Sequence, residues 1–231
     1  MKKGKLIFAI IATIVAVAFS VVVMKVDVNP AGPTKTPVGF SHFNESVFYA
    51  LGASDTWYTI TQLLGYIAIG IAAAFGVLGL VQWIKRKNIL AVDGKILALG
   101  VLYIITIGLY AAFTKIMING RPIIMPGETE IEPSFPSSHT MLLCVVCTSA
   151  IMILGDYIVN KKLLVLVRIL LAAMIAVMIA GRLLSGAHWF TDIVAGILIS
   201  IMLLAWYAFA ISGMEKSEAN YAVNGGKHYS K

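Results

Sequence analysis

Apolar residues in this chain fall into six long runs, at about 6–24, 60–84, 96–118, 139–158, 163–184 and 191–211. Runs of roughly 18 or more such residues with few charges are long enough to cross a bilayer as helices. The pattern predicts an all-α chain, a six-span transmembrane helical bundle. Residues 25–57 are polar, with Pro30, Gly32, Pro33 and Pro37, but Phe43, Val47, Phe48 and Leu51 recur there at helical spacing. That predicts a loop carrying a short helix at the membrane surface. Trp57 and Tyr58 then mark a water–lipid boundary. We expect a first span with its loop over 1–57, a core of five spans over 58–212 and a flexible polar tail over 213–231.

Composition agrees with this and narrows it. The 231 residues are 59% hydrophobic and 13% charged, whereas soluble domains carry about a quarter charged residues. The net charge of +7 comes without a basic cluster interleaved with stacking aromatics, so no nucleic-acid partner is expected. Its distribution reports topology instead. Lys2, Lys3, Lys5, Lys85, Arg86, Lys87, Lys95, Lys161, Lys162, Lys216, Lys227 and Lys231 fall on one side of a six-span arrangement. The positive-inside rule makes that side cytoplasmic. The expectation is a multi-pass cell-membrane protein with both termini in the cytoplasm. Its first run resembles a signal peptide but is longer and lacks a small-x-small cleavage site, so an uncleaved span is expected. Cys144 and Cys147 lie within an apolar run and read as small buried hydrophobes.

One polar stretch, Glu132 to Thr140, interrupts the apolar pattern just before the fourth run. Pro136 stops any arriving helix, and Ser137 or Ser138 can cap the next one. His139 then stands in a first helical turn beside free backbone N–H groups, a ready anion site. By the predicted topology, other ionisable groups meet it on the extracytoplasmic face. Lys115 lies near the end of the third span and Arg121 follows it, Arg182 lies near the end of the fifth, and His188 and Asp192 begin the sixth. Each alone has an ordinary reading: a snorkelling cation, a histidine bonded to a carbonyl, a helix cap. Ionisable groups in spans cost about 2.5–3.5 kcal/mol each on insertion scales, so convergence of several on one face points to function.

The chemistry they suit is phosphoryl transfer. Three cations can neutralise a phosphate monoester of charge about −1.5 to −2 and the charge on its equatorial oxygens, without a metal. Arginine forks match phosphate oxygens. His188 and Asp192 are four apart. If both lie in the first turns of a helix, they share a face, and the carboxylate can fix the imidazole tautomer for nucleophilic attack. His139 is left to protonate the leaving alcohol.

These residues resemble the type 2 phosphatidic acid phosphatase family, related to the vanadium haloperoxidases, in three blocks. A lysine, six residues and Arg-Pro is matched by Lys115 through Arg121-Pro122. Pro-Ser-Gly-His is matched by Pro136-Ser137-Ser138-His139. Ser-Arg, five residues, His, three residues, Asp is matched by Gly181-Arg182, His188 and Asp192. The resemblance implies a metal-independent lipid phosphatase without a cofactor, its active site on the extracytoplasmic face. It assigns phosphate binding to Lys115, Arg121, Ser137, Ser138 and Arg182, the acid to His139, the nucleophile to His188 and its orientation to Asp192. The chain departs in three places. Only five residues separate Lys115 from Arg121, Ser138 replaces a glycine, and Gly181 replaces a serine. The implied partners are the bilayer and a lipid phosphate such as undecaprenyl diphosphate, phosphatidylglycerol phosphate or phosphatidic acid. A non-catalytic binder or transporter of anionic lipid would need the cations but not the His188–Asp192 pair. A metallophosphatase using Glu128, Glu130 and Glu132 is a third reading.

Overall fold

The computed structural model describes residues 2–125 and 127–225. Its helices are α1 (Lys2–Val23), α2 (Ser41–Leu51), α3 (Asp55–Arg86), α4 (Gly94–Phe113), α5 (Ser138–Ile153), α6 (Lys161–Leu184) and α7 (Phe190–Gly225). All but α2 are long and apolar enough to cross a membrane. The chain is a multi-pass membrane protein whose spans are those the apolar runs predict, with shifted ends.

Local chemistry sets those ends. Ser54 accepts from Trp57 N and starts α3 at Asp55 rather than at residue 60. Asn160 accepts from Lys162 N and Leu163 N at the start of α6, and Asp93 accepts from Lys95 N at the start of α4. α4 ends at Phe113, short of Ile118, in tight turns closed by Lys115 N to Ala112 O and Ile116 N to Phe113 O. α7 continues past Ile211 to Gly225. Glu215, Lys216, Glu218 and Ala219 are good helix formers, so propensity carries the helix beyond its apolar run. The tail expected over 213–231 therefore begins as helix, and residues 226–231 lie outside the described residues.

α5 and α7 form the centre of the bundle. Of their apolar windows 56% and 50% of residues are buried, against 11–22% in the other four spans. α5 packs against α3, α6 and α7, and α1 lies along α7. Composition explains the choice. Cys144, Cys147, Ser149 and Ala150 give α5 a small, closely approachable surface and are buried, as membrane helix interfaces favour. The outer helices show Ile, Leu and Val to the hydrocarbon.

The 25–57 connection is more ordered than a plain loop. Asn29–Ala31 (β1) and Thr36–Val38 (β2) pair antiparallel, a hairpin that the apolar pattern does not predict, and α2 follows. Ala31, Val38 and Phe48 pack on Trp189, whose Nε1 donates to Gly120 O at 2.7 Å. Gly32 has φ 66°, and a Cβ there would lie 2.7 Å from the Trp189 ring, so both conformation and space demand glycine. Asn44 Nδ2 donates to Thr191 Oγ1 at 2.8 Å, and Asn44 Oδ1 accepts from Thr191 N. The hairpin and α2 are thereby fixed to the start of α7.

Gly196 lets α7 approach the start of α5. A Cβ there would sit 2.9 Å from Ser137 O. Gly196→Ala is expected to cost about 1–3 kcal/mol by overpacking, read as a lower Tm in detergent. An unchanged Tm would mean that this contact yields freely.

Candidate active site

A cavity of about 270 Å³ opens where α6 ends and α5 and α7 begin. Arg121, Ser138, His139, Arg182 and His188 all line it, so the structure brings together most of the groups singled out in the sequence. α3 adds Tyr58 and Gln62, and the loop before α5 adds Glu128 and Glu132.

Arg182 occupies the last turn of α6 and is 1% exposed. Its Nη1 donates to Thr61 Oγ1 at 3.2 Å, and its guanidinium lies 5.6 Å from the centre of the Tyr58 ring. Gly181 makes this possible. A Cβ there would meet Thr61 Cγ2 at 2.7 Å and the Trp57 ring at 3.0 Å. The serine that the chain lacks at 181 would collide with the helix whose Thr61 hydroxyl serves the arginine.

Arg121 is placed by backbone pairing. Gly120 and Pro133 form an antiparallel bridge, flanked by Arg121 N to Glu132 O at 3.1 Å and Ser134 N to Asn119 O at 2.8 Å. Arg121 Nη1 donates to Ala187 O at 3.2 Å and lies 3.5 Å from His188 Nε2. Its Nε is 3.1 Å from Glu132 Oε2. This is a charge pair whose angle falls short of a hydrogen bond, leaving Nε without an acceptor. Of the acids considered as metal ligands, Glu128 and Glu132 border the cavity. Among the described residues no group of three His, Cys, Asp or Glu is arranged to hold a metal ion.

His139 lies in the first turn of α5 against α3. Gly65 leaves it room, since a Cβ there would be 3.0 Å from His139 Cδ2. Among the described residues four buried side-chain atoms have no hydrogen-bond partner: Gln62 Oε1, Arg121 Nε, His139 Nδ1 and Arg182 Nε. All four belong to residues of this cavity. Buried polar atoms are normally paired, so their convergence marks the space as one made for a polar ligand.

Three expectations need correction. Lys115 does not line the cavity; it is exposed beyond the end of α4, and Thr114 lines the cavity instead. The chain turns after Phe113, and six residues separate Thr114 from Arg121, so the one-residue deficit places threonine where the resemblance has lysine. Ser137 is buried and is not among the lining residues. Its Oγ contacts Thr140 Oγ1 at 2.9 Å, and its N donates to Asp192 O. Ser138 lines the cavity instead. Finally, His188 and Asp192 do not bond directly: Nδ1 to Oδ2 is 4.0 Å. α7 begins at Phe190, so His188 precedes the helix and the i,i+4 geometry does not apply.

Residues that sequence reading missed fill the gap. Ser134 Oγ lies 3.1 Å from His188 Nδ1 and donates to Asp192 Oδ2 at 2.5 Å, while Ser134 O is 2.9 Å from the same Nδ1. Asn119 Nδ2 donates to Asp192 Oδ1 at 2.7 Å, and Asn119 Oδ1 accepts from Gly39 N of the connection after β2. Trp189 N donates to Asp192 Oδ2. Gln62 had a usable signal, an amide in an apolar run. Ser134 and Asn119 are set by pairing across the loop and had none.

Burial drives the His188 pKa well below its ordinary value, and Arg182, Arg121 and His139 push it the same way. The folded state keeps this imidazole neutral, whereas the unfolded chain protonates it near pH 6.5. Its contribution to stability is therefore complete above about pH 6.5 and shrinks as pH falls below that value. Thermal melts between about pH 8 and about pH 5 should show a falling Tm, and His188→Gln should flatten the fall.

Comparison with known proteins places the architecture. It matches the crystal structure of the first transmembrane PAP2 type phosphatidylglycerolphosphate phosphatase from Bacillus subtilis with a TM-score of 0.63 and 15% sequence identity, covering 90% of this chain and 96% of that one. Among curated proteins no match was found. The sequence pattern of the PAP2 superfamily matches residues 6–214, from α1 through all of the cavity residues, and the chain belongs to that superfamily.

Proposed function

We propose that this lipid phosphatase cleaves its substrate in the Arg121–Arg182 cavity through a phosphohistidine on His188. One observation carries the reading. The polar cavity shares Gln62, Tyr110, Ser138, His139 and Met141 with an apolar groove of about 450 Å³ between α3, α4 and α5. Tyr66, Ile69, Ile107 and Leu142 line the groove, and its neighbours on α3 and α4 are exposed apolar residues. A headgroup phosphate in the cavity can thus keep its tail in hydrocarbon. A water-soluble phosphate would gain nothing from the groove, because burial of apolar surface is what it offers, at about 25 cal/mol per Å².

The steps follow from the groups present. Arg121 and Arg182 hold the phosphoryl oxygens with the amides at the start of α5, which no side chain caps. His188 attacks phosphorus through Nε2, the nitrogen on the Arg121 side. The bond to the leaving oxygen breaks, and His139 supplies the proton that makes it an alcohol or, from a diphosphate, a phosphate. Water then attacks the phosphohistidine, giving its proton to His139 and releasing phosphate. Positioned histidine acids are worth about 10²–10⁴ in rate. The site lies at the end of the bundle opposite Lys85, Arg86, Lys87, Lys161 and Lys162. The charge bias supports a cell-membrane protein with cytoplasmic termini and an active site facing outside. The substrate class is a lipid monophosphate or diphosphate of the phosphatidic acid, phosphatidylglycerol phosphate or undecaprenyl diphosphate type.

Phosphate release from a panel of these lipids in detergent tests the reading. Activity is expected to survive excess chelator, and His188→Ala is expected to lose about 10⁴-fold or more in kcat while still binding lipid. Turnover that survives in His188→Ala would overturn the mechanism, and loss with chelator would point to a metal.

A further inference from the structure

We infer that Ser134 is the positioning residue of His188, carrying the influence of Asp192 across a gap that the carboxylate does not bridge itself. The inference rests on His188 as nucleophile.

Proton assignment follows from the acceptors. Ser134 O can only accept, and it lies 2.9 Å from His188 Nδ1, so Nδ1 carries the ring proton. Nε2 is then the nitrogen with the in-plane lone pair, facing Arg121 Nη1 at 3.5 Å. The Ser134 hydroxyl has one proton, which it gives to Asp192 Oδ2 at 2.5 Å. Its oxygen keeps lone pairs facing Nδ1–H at 3.1 Å. Nδ1–H is thus shared between Ser134 O and Ser134 Oγ, and from Oγ–H the chain continues in one direction to the carboxylate. All three side chains are buried, with Ser134 at 1%, His188 at 3% and Asp192 at 0% exposure. No bulk water competes for these bonds, and a low-dielectric site strengthens each of them.

The serine is held from both sides. Its N donates to Asn119 O, and the Asn119 side chain donates to the other carboxylate oxygen. Among the described residues Asp192 accepts from three neutral donors, Ser134, Asn119 and Trp189. None of these three donors is a cation, so they form no ion pair with the carboxylate oxygens. When Nε2 forms its bond to phosphorus, the ring becomes cationic with the proton still on Nδ1. The serine oxygen then accepts from a stronger donor while giving its own proton to Asp192. This stabilises the charged ring more than the neutral one, so the effect belongs to kcat rather than to binding.

The test is a double-mutant cycle on phosphate release, with His188→Ala run beside it. Ser134→Ala is expected to lower kcat by about 10–100-fold, the worth of one buried hydrogen bond that strengthens on ring charging, with KM within about threefold. Asp192→Asn should lose at least as much. The double variant should fall no more than about threefold below Asp192→Asn, because both changes break one chain. If Ser134→Ala does not fold, Ser134→Cys keeps the side chain's shape with a weak donor, and a loss of about tenfold in kcat at constant KM is expected. Ser134→Ala or Ser134→Cys within twofold of the parent, or losses that multiply in the double variant, would overturn the relay while leaving the phosphatase reading intact. An active His188→Ala would overturn both.

Discussion

A guanidinium held in the bundle without a carboxylate opposite it is the constraint on which this structure turns. Arg182 is 1% exposed, and its described partners are a threonine hydroxyl and a tyrosine ring. Taking such a charge out of water costs several kcal/mol unless something anionic repays it. Arg121 is nearly as constrained, and among the described residues its one carboxylate partner is the half-exposed Glu132. Both guanidiniums are thus held in place by the protein's own groups. On the proposed function, an incoming phosphate completes them, and the groups need not reorganise during the reaction.

Keeping charges in place inside hydrocarbon requires rigid support, and the polar connections supply it. The bridge between 119–121 and 132–134 sets Arg121, Asn119 and Ser134 side by side. The hairpin and α2 lock that bridge from outside through Trp189, Gly39 and Asn44. A connection that reads in sequence as a loop with a short surface helix is thus part of the frame for Asp192. Helix ends do the rest. The start of α5 brings His139 and uncapped amides, the end of α6 brings Arg182, and the turn before α7 brings His188.

Much of this was legible in the sequence, for a physical reason. A bilayer demands long apolar helices, so six runs yield six spans whose ends shift by a few residues. Charges are so costly there that Arg121, His139, Arg182, His188 and Asp192 stand out against the apolar background. What escaped were details fixed by where elements stop or by distant pairing. Lys115 was misplaced because α4 ends at Phe113. The direct His188–Asp192 bond failed because α7 starts after His188. Ser137 turned inward to Thr140, and Ser138 took its place at the cavity. Ser134 and Asn119 could be found only through contacts made across the loop, and the hairpin only through its packing on Trp189.

The account's central claim is that His188 carries the phosphoryl group between substrate and water. Mixing the enzyme rapidly with a lipid phosphate labelled in its terminal phosphate, and quenching in alkali, tests it most directly. The account predicts a labelled protein that forms no more slowly than turnover, is stable in alkali, loses its label in acid and maps to His188. Turnover without labelled protein, or a label on any other residue, would contradict it.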